Sequence, residues 1–373
     1  MATILILCEY PTLCGGERSM LSTLDGVRAA GFEVVVAAPP AGPLAGALGE
    51  MGVEHVPFCT TGPDGRRRSQ PRLRSDLDGL LGRYRPDALH ANSLSMGRLS
   101  GPVAAEGGVP SIAHLRDIVR LSRQAVADLN RHRRLLAVSR AVRESHVAAG
   151  LDAGKTYVVH NGVDLARFRP RPPTGYLHAE LGLAPKTRLV GTIGQICLRK
   201  GQDTLVEAAA ALAERFSDLH YLVVGRRHSQ KRESVEFEAR LRGASQQGPL
   251  AGRLHLLGQR NDVDRLLSEL TLLIHPARQE PLGRVLLEAA ASGMAVVATA
   301  VGGTGEIFPP HGNSARLVAP GNPTALAGAM GELLSDAERR SALGQAAQAR
   351  AEAAFGLDRA AAALVAHYRH LLQ

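Results

Sequence analysis

The sequence contains no tryptophan, and aromatic residues make up only 3% of its 373 residues. A hydrophobic core must therefore rest on aliphatic side chains, within an apolar fraction of 45%. Such a composition is typical of helices that pack closely on a parallel sheet. The length is sufficient for two domains of ordinary size, each with its own core.

Cysteine is equally scarce, and long apolar runs are absent. The four cysteines are scattered without the paired spacing of a metal site, so we expect reduced thiols in a cytoplasmic protein. The amino-terminal MATILILCEY lacks the basic region of a signal peptide. No stretch of about 18 apolar residues occurs, which argues against a transmembrane segment. Peripheral contact with an anionic membrane stays open.

Lysine is rare, because only four of the 44 basic residues are lysines, namely Lys155, Lys186, Lys200 and Lys231. The net charge of +9 permits an acidic partner such as a phosphorylated substrate, an anionic membrane or nucleic acid. Arginines concentrate at 66–85 and 116–143, where solvated surfaces are the alternative to a partner. Nucleic acid is the least favoured partner, because the chain has no recognisable module and no interleaved aromatics.

Short apolar runs alternate with amphipathic stretches in two successive series. Their continuous hydrophobicity predicts strands that are buried on both faces of a parallel sheet. The fold class is therefore α/β, with two doubly wound Rossmann-like domains facing each other across a cleft. The predicted strands are 3–8, 33–38, 54–58, 87–92, 111–115, 135–139 and 156–160, and then 188–194, 219–225, 253–258, 270–276, 295–300 and 315–318.

A proline-rich segment separates the two series. Prolines at 170, 172 and 173 disfavour regular structure, which indicates a linker over 166–185. We expect one domain over 1–165 and a second over 186–355. A terminal helix over about 356–373 is expected to pack back on the first domain.

Unusual residues concentrate where strands end, which is where open α/β sheets bind ligands. Gly15 and Gly16 follow the first strand and precede a helix, so their backbone could approach an anion. A plain turn is the alternative. His90 and His114 each end a strand and are either structural or part of a site.

The loop GQICLRKGQD follows the first strand of the second series. Arg199 and Lys200 precede Gly201 and a helix that opens with Asp203. Cations beside a helix N-terminus suit a diphosphate, since the backbone adds hydrogen bonds to the charge. Because lysine is scarce in this sequence, the presence of Lys200 at this position favours a phosphate-binding role.

The stretch EPLGRVLLE contains two carboxylates, Glu280 and Glu288, that flank a turn and a helix start. Pro281 supports the turn, and Gly283 allows close approach of a ligand to the backbone. The two carboxylates could then hold hydroxyls on either side of a phosphate that is bound by the helix amides. Ribose, diphosphate and sugar fit that order, whereas an acidic surface helix is the simpler alternative.

These motifs together resemble the retaining GT-B glycosyltransferases of family 4. The E-x7-E element from Glu280 to Glu288 lies in the frame EPLGRVLLEAAASGMAVVAT, and VGGTGE follows at 301–306. The stretch at 137–170 resembles the strand and NGVD linker that close the first domain in that family. The resemblance covers nearly the whole chain.

The resemblance implies a metal-independent enzyme without a cofactor that moves a sugar from a nucleoside-diphosphate sugar, with UDP favoured. The acceptor would be a hydroxyl of a small molecule, a glycan or a lipid-linked compound, on the side of the first domain. Glu288 would bind ribose, Glu280 the donor sugar, and His114 the sugar near the reacting centre. The diphosphate would be held by Lys200, by the amides around Leu282, Gly283, Arg284 and Val285, and by the backbone at Gly15 and Gly16.

One departure from the family concerns the diphosphate loop. Gln195 stands where the family usually has arginine, and Arg199 or Arg284 is expected to supply the missing charge. A non-catalytic nucleotide-sugar-binding protein is therefore one alternative, and an epimerase or phosphorylase on the same fold is another. Asp76-Leu-Asp78 and Asp262-Val-Asp264 imitate a metal-binding DxD motif, but we expect both at helix starts as caps.

Overall fold

The computed structural model describes residues 1–373, which form two compact units. The first unit comprises Met1–Gly162 and Leu357–Gln373, and the second comprises Val163–Gly356. Residues 166–185, expected to be a linker, belong to the second unit. The buried carboxylate of Glu269 fixes this segment, because it accepts hydrogen bonds from the backbone N–H groups of Thr174 and Gly175 at 2.6 and 2.9 Å.

The first unit is built on a seven-stranded parallel sheet. Its order is β3-β2-β1-β4-β5-β6-β7, so the winding direction reverses between β1 and β4. A reversal of this kind opens a crevice at the carboxyl ends of the two strands. The strands are β1 Ala2–Leu7, β2 Phe32–Ala38, β3 Glu54–Pro57, β4 Ala88–Ala91, β5 Ser111–Leu115, β6 Arg134–Ala137 and β7 Thr156–Val158.

Seven helices complete the first unit, and the last of them comes from the far end of the chain. This terminal helix packs on α1 and on the sheet, and its Tyr368 ring lies 5.6 Å from the Phe32 ring, edge to face. The helices are α1 Gly15–Ala29, α2 Pro43–Glu50, α3 Gln70–Tyr84, α4 Leu94–Glu106, α5 Arg123–Leu129, α6 Arg140–Ala148 and α15 Leu357–Leu371.

The second unit is built on a six-stranded parallel sheet of order β10-β9-β8-β11-β12-β13. Here the winding direction reverses between β8 and β11. The doubly wound α/β architecture is confirmed in both units, and every strand lies within two residues of its predicted limits. The strands are β8 Arg188–Ile193, β9 Leu219–Val224, β10 Leu254–Gly258, β11 Leu272–His275, β12 Val296–Thr299 and β13 Arg316–Val318.

Eight helices surround the second sheet, with short 3-10 turns at Leu198–Lys200 and Gly248–Leu250. None of the helices in the chain combines the length and the apolar character needed to cross a bilayer. The eight are α7 Tyr176–Leu181, α8 Gln202–Leu212, α9 Arg232–Gln246, α10 Val263–Glu269, α11 Arg284–Ala291, α12 Thr304–Ile307, α13 Pro323–Ser335 and α14 Ala337–Ala354.

Candidate active site

Two loops meet in the second unit because β8 and β11 are neighbours at the reversal of the sheet. The Arg278 N–H donates to the Arg199 carbonyl at 2.8 Å. Gly201 has a φ of +67°, and a Cβ atom there would lie 2.0 Å from the Pro276 carbonyl oxygen. Only glycine allows both this conformation and this approach. The loop after β8 and the loop after β11 therefore form one continuous wall.

A buried ionic cluster joins these loops. The Lys200 ammonium pairs with Oε2 of Glu280, and Nε2 of His275 lies 2.7 Å from the same oxygen. The Lys200 and Glu280 side chains are only 15% and 7% exposed. Burial alone would raise the pKa of Glu280, but Lys200 and His275 outweigh it and hold the pKa well below its usual range.

His275 is a site residue that the sequence motifs did not reveal. Burial lowers its pKa, despite the hydrogen bond to Glu280, so the neutral imidazole donates Nε2–H to the carboxylate. Its position in the sequence could have indicated a site residue, because it ends a buried strand five residues before Glu280. Both partners hold the same carboxylate oxygen, so Glu280 is a fixed anion.

The helix α11 begins at Arg284, immediately after the predicted turn. Gly283 has a φ of +93°, and the N–H groups of Leu286 and Leu287 both donate to its carbonyl. The N–H of Val285 precedes these bonds, in the first turn where amides have no intrahelical acceptor. Glu288 lies one turn further on, where its Oε1 accepts from Arg284 Nη2 at 3.0 Å. Leu282 is buried before the turn.

Gln195, which stands where the family usually has arginine, lies among residues that make local contacts. Gln202 Nε2 donates to the backbone carbonyl of Gln195 at 2.9 Å. Arg199 Nη1 lies 3.4 Å from the Gln279 carbonyl, and Arg284 pairs with Glu288. Compensation for Gln195 by either arginine remains a prediction.

In the first unit, Gly15 and Gly16 are the first two residues of α1. A Cβ atom at Gly16 would lie 3.2 Å from Cδ of Arg116, so the glycine allows the arginine to pass close to the backbone. Arg116 donates to the Asn92 carbonyl at 3.0 Å, and its Nη1 donates to Oδ1 of Asn161 at 3.0 Å. These polar side chains form a second cluster with His90 and His114, the two strand-end histidines that the sequence indicated.

His114 lies at the centre of this second cluster and is 4% exposed. Arg116 Nη2 and His90 Nε2 approach its Nδ1 at 3.2 and 3.3 Å. Burial, together with Arg116, lowers the pKa of His90 to about 3 and holds that of His114 well below 6.5. Nε2 of His114 has no hydrogen-bond partner, and the residue lines a pocket with Ser19.

The predicted site residues thus form two groups. The first unit contains Gly15 and Gly16 at the start of α1, and it contains His114 at the end of β5. The second unit brings together Gln195, Arg199, Lys200, Glu280, Leu282, Gly283, Arg284, Val285 and Glu288.

The DxD-like tripeptides lie elsewhere and are bound to arginines. Asp76 and Asp78 lie in the middle of α3, so their expected position at a helix start was wrong. The carboxylate of Asp76 pairs with Arg68. Asp262 and Asp264 do begin α10, but Asp262 pairs with Arg260 at 2.8 Å and Asp264 with Arg171 at 2.8 Å, so neither caps the helix with its side chain.

Most of the arginines in the 66–85 concentration also have internal partners. Arg67 pairs with the buried carboxylate of Glu9, and Arg74 lies 3.2 Å from the carboxylate of Asp128. Much of the charge of this segment is therefore neutralised within the first unit.

Two doubly wound units, each with polar side chains at the reversal of its sheet, define a GT-B-like architecture. The solved structure of Anabaena Alr3699/HepE in complex with UDP-glucose has the same fold, with a TM-score of 0.86, 24% identity, and coverage of 99% of this chain and 100% of that chain. Residues 14–167 match the family model described as Glycosyltransferase Family 4, and residues 176–350 match Glycosyl transferases group 1.

Two bacterial relatives settle the family. The lipopolysaccharide core biosynthesis mannosyltransferase LpcC of Rhizobium leguminosarum bv. viciae is 30% identical over 325 residues, which is 85% of this chain and 88% of that protein. LpsB of Rhizobium meliloti, with the same function in its name, is 30% identical over 271 residues, which is 69% of this chain and 76% of that protein. The chain belongs to the group 1 glycosyltransferases of family 4, and it is a glycosyltransferase.

Proposed function

We propose that the protein transfers a sugar from a UDP-sugar to a hydroxyl acceptor, with retention of anomeric configuration and without a metal ion. The observation that carries this proposal is the buried cluster of Lys200, Glu280 and His275 beside the N-terminus of α11. A cation, a fixed anion and helix amides in one place suit a substrate that carries a diphosphate next to sugar hydroxyls.

Within this cluster, we assign the phosphate-binding role to Lys200 and to the amides around Val285. Charge develops on the departing diphosphate, and donors fixed in a buried site stabilise it more than the same donors in water. Glu288, one turn into α11, would accept hydrogen bonds from the ribose hydroxyls. Supply of positive charge by a fixed lysine and helix dipole is also the reason to expect activity without a metal.

In the proposed step, the bond between the anomeric carbon and the phosphate oxygen breaks as the acceptor oxygen bonds to the same face. The acceptor proton moves to the leaving phosphate. Glu280 would accept a hydrogen bond from a sugar hydroxyl, because Lys200 and His275 hold its Oε2 and keep it ionised. The two-carboxylate mechanism of glycosidases is the wrong template, since it needs a carboxyl group that gives up a proton.

A screen of UDP-, GDP- and ADP-sugars by thermal shift tests the donor assignment, because a specific ligand raises the melting temperature of the native state. We expect stabilisation by a UDP-sugar, and loss of that stabilisation in Lys200→Ala. Unchanged donor affinity and turnover in Lys200→Ala would contradict the diphosphate assignment. Proton NMR of the glycoside product tests retention, and full activity in EDTA tests metal independence.

An assay of free nucleoside diphosphate, with and without an acceptor, separates the alternative functions. Transfer requires that free nucleoside diphosphate appears only when an acceptor is present, whereas an epimerase releases none. Tight donor binding without turnover on any acceptor would support a non-catalytic protein. Gln195→Arg then measures the cost of the missing cation: a rise in turnover would show that neither Arg199 nor Arg284 replaces it.

We propose a glycan or lipid-linked acceptor, in keeping with the lipopolysaccharide core named for the relatives. Peripheral membrane contact is the less supported part of this proposal, because the arginines of 66–85 are largely paired. Co-sedimentation with anionic and neutral vesicles at several salt concentrations tests it.

A further inference from the structure

Tyr368 in the carboxy-terminal helix α15 connects to His114 through one intervening histidine. The Tyr368 hydroxyl lies 2.6 Å from Nδ1 of His90, and Nε2 of His90 lies 3.3 Å from Nδ1 of His114. The hydroxyl and both rings are buried, and the His90 and His114 rings stack with centroids 5.5 Å apart. Residues separated by 278 positions in sequence therefore share one hydrogen-bonded chain.

The direction of each hydrogen bond follows from Arg116. A guanidinium can only donate, so the approach of Arg116 Nη2 at 3.2 Å makes Nδ1 of His114 an acceptor. A neutral imidazole carries one N–H, which must then be on Nε2. That atom is the one without a partner inside the protein, and His114 lines the pocket with Ser19 and Thr23.

The proton positions on His90 follow in turn. Because Nδ1 of His114 carries no proton, a hydrogen bond between the two rings requires that His90 donates through Nε2–H, and Nδ1 of His114 then shares its lone pair between Arg116 and His90. Nδ1 of His90 is then an acceptor, and the Tyr368 hydroxyl donates to it. Each donor along this series of hydrogen bonds therefore faces the next residue from Tyr368 to His114, and the Nε2–H of His114 is the last of them.

We propose that Tyr368 and His90 are positioning residues that, together with Arg116, hold His114 as the Nε2–H tautomer, so that it donates a hydrogen bond to a substrate oxygen and does not act as a base. The oxygen would be a hydroxyl or ring oxygen of a sugar, and this part of the inference rests on the proposed function. Tyr368 of the terminal helix thus acts on His114 through one intervening side chain, His90.

The surroundings keep the hydrogen-bonded side chains of Tyr368, His90 and His114 uncharged. Burial, Arg116, His90 and His367 all lower the pKa of His114, and burial raises the pKa of Tyr368. The charged or titratable groups around these residues are Arg116, His132, His160 and His367, and no carboxylate contributes to the pKa of either His90 or His114. At neutral pH the chain consists of neutral hydrogen-bond donors beside one arginine.

The tautomer can be observed without any substrate. In protein labelled with nitrogen-15 histidine, the Nδ1 and Nε2 shifts of His114 at pH 7 should be those of a neutral ring protonated on Nε2, with His114→Asn used for assignment. An Nδ1–H or doubly protonated His114 would overturn the proposal. The His114 tautomer can be determined even if the protein transfers no sugar. An Nδ1–H tautomer would therefore contradict this proposal without bearing on the proposed function.

Kinetics test the contribution of Tyr368. Tyr368→Phe keeps the ring contacts with Phe32 and His90 and removes one hydroxyl. We expect kcat to fall about fivefold with an unchanged KM for the nucleotide sugar, which is the factor for one ordinary hydrogen bond. The control is Tyr221→Phe, because the Tyr221 hydroxyl is buried without a partner in the second unit. Equal kcat in wild type and Tyr368→Phe would overturn the assignment.

Substitution of His90 separates hydrogen bonding from packing. In His90→Gln the side-chain amide can still donate near the former Nε2, whereas His90→Leu fills similar space without a donor. We expect the Gln variant to retain several-fold more kcat than the Leu variant. Equal losses in the two variants, with equal melting temperatures, would show that His90 acts only by packing.

Discussion

The two units solve the same problem, the burial of polar side chains at a sheet reversal, in opposite ways. In the second unit a cation and an anion, Lys200 and Glu280, compensate each other with His275 as a neutral third partner. In the first unit His90 and His114 are held as neutral rings. The polar cluster of the second unit therefore consists of compensating charges, whereas that of the first unit consists of neutral rings beside the cation Arg116.

The largest expected effect comes from removing the cation of the charged cluster. Lys200→Ala leaves Glu280 buried without its main counter-charge, which costs about 3–5 kcal/mol of stability. Turnover should fall about 10²- to 10³-fold, as when one fixed donor to a developing anion is lost. Calorimetry and initial rates measure the two effects.

Two further variants separate stability from activity at this cluster. Lys186→Ala, at an exposed lysine of the same unit, should match the wild type in both measurements. The double variant Lys200→Ala, Glu280→Gln should recover stability without recovering turnover. Recovery of both would mean that Lys200 only neutralises Glu280 and does not contact the substrate.

The next largest effect should come from Gly201, which allows the two loops of the second unit to meet. Gly201→Ala combines a positive φ with a Cβ atom 2.0 Å from the Pro276 carbonyl oxygen, and we expect a loss of about 3 kcal/mol. Gly182→Ala is the matched control, with a φ of +65° and no atom near the added Cβ. Equal melting temperatures for the two variants would show that the loops can separate without cost.

The neutral histidines of the first unit should make stability depend on pH. His132 is fully buried and has its pKa lowered by burial to about 4, so the unfolded chain, with a pKa near 6.5, binds the proton more readily. Stability from this group is complete above about pH 6.5 and is lost as the pH falls towards 4.

For His132 alone, the loss between pH 7 and pH 5 is about 2 kcal/mol. His132→Gln should flatten the fall in unfolding free energy over that range by this amount, whatever its effect at pH 7. Glu280 behaves differently: its lowered pKa preserves its contribution above the unfolded value of about 4.3, and that contribution declines only in stronger acid. An unchanged pH slope in His132→Gln would contradict a neutral His132.

The smallest effect should come from the partly exposed pair that also joins the loops of the second unit. Arg278 binds both oxygens of Asp203 at 2.8 Å, but its side chain is 39% exposed. Solvent screens such pairs, so Arg278→Ala should cost no more than about 1 kcal/mol. A loss as large as that of Lys200→Ala would mean that the exposed pair, and not the buried one, holds the loops together.

Several features of both units were predictable from the sequence. Parallel strands appear as continuous apolar runs, and the sequence alone placed all thirteen of them within two residues. The turn at Gly283 and the helix start at Arg284 were equally predictable, since glycine and the following periodicity are local signals. Local signals misplaced Asp76, because the same tripeptide fits a helix start and the middle of α3.

The amino-acid sequence by itself determined the two βα series and the position of Lys200, Glu280, Glu288 and His114 at strand ends or helix starts. Only the tertiary structure decided what state these groups adopt. Glu280 becomes a fixed anion through Lys200, 80 residues away, and His114 becomes a donor through Arg116 and through hydrogen bonds that extend by way of His90 to Tyr368. The physical reason is that ionisation and tautomer depend on burial and on which distant donors arrive, and no local pattern records either.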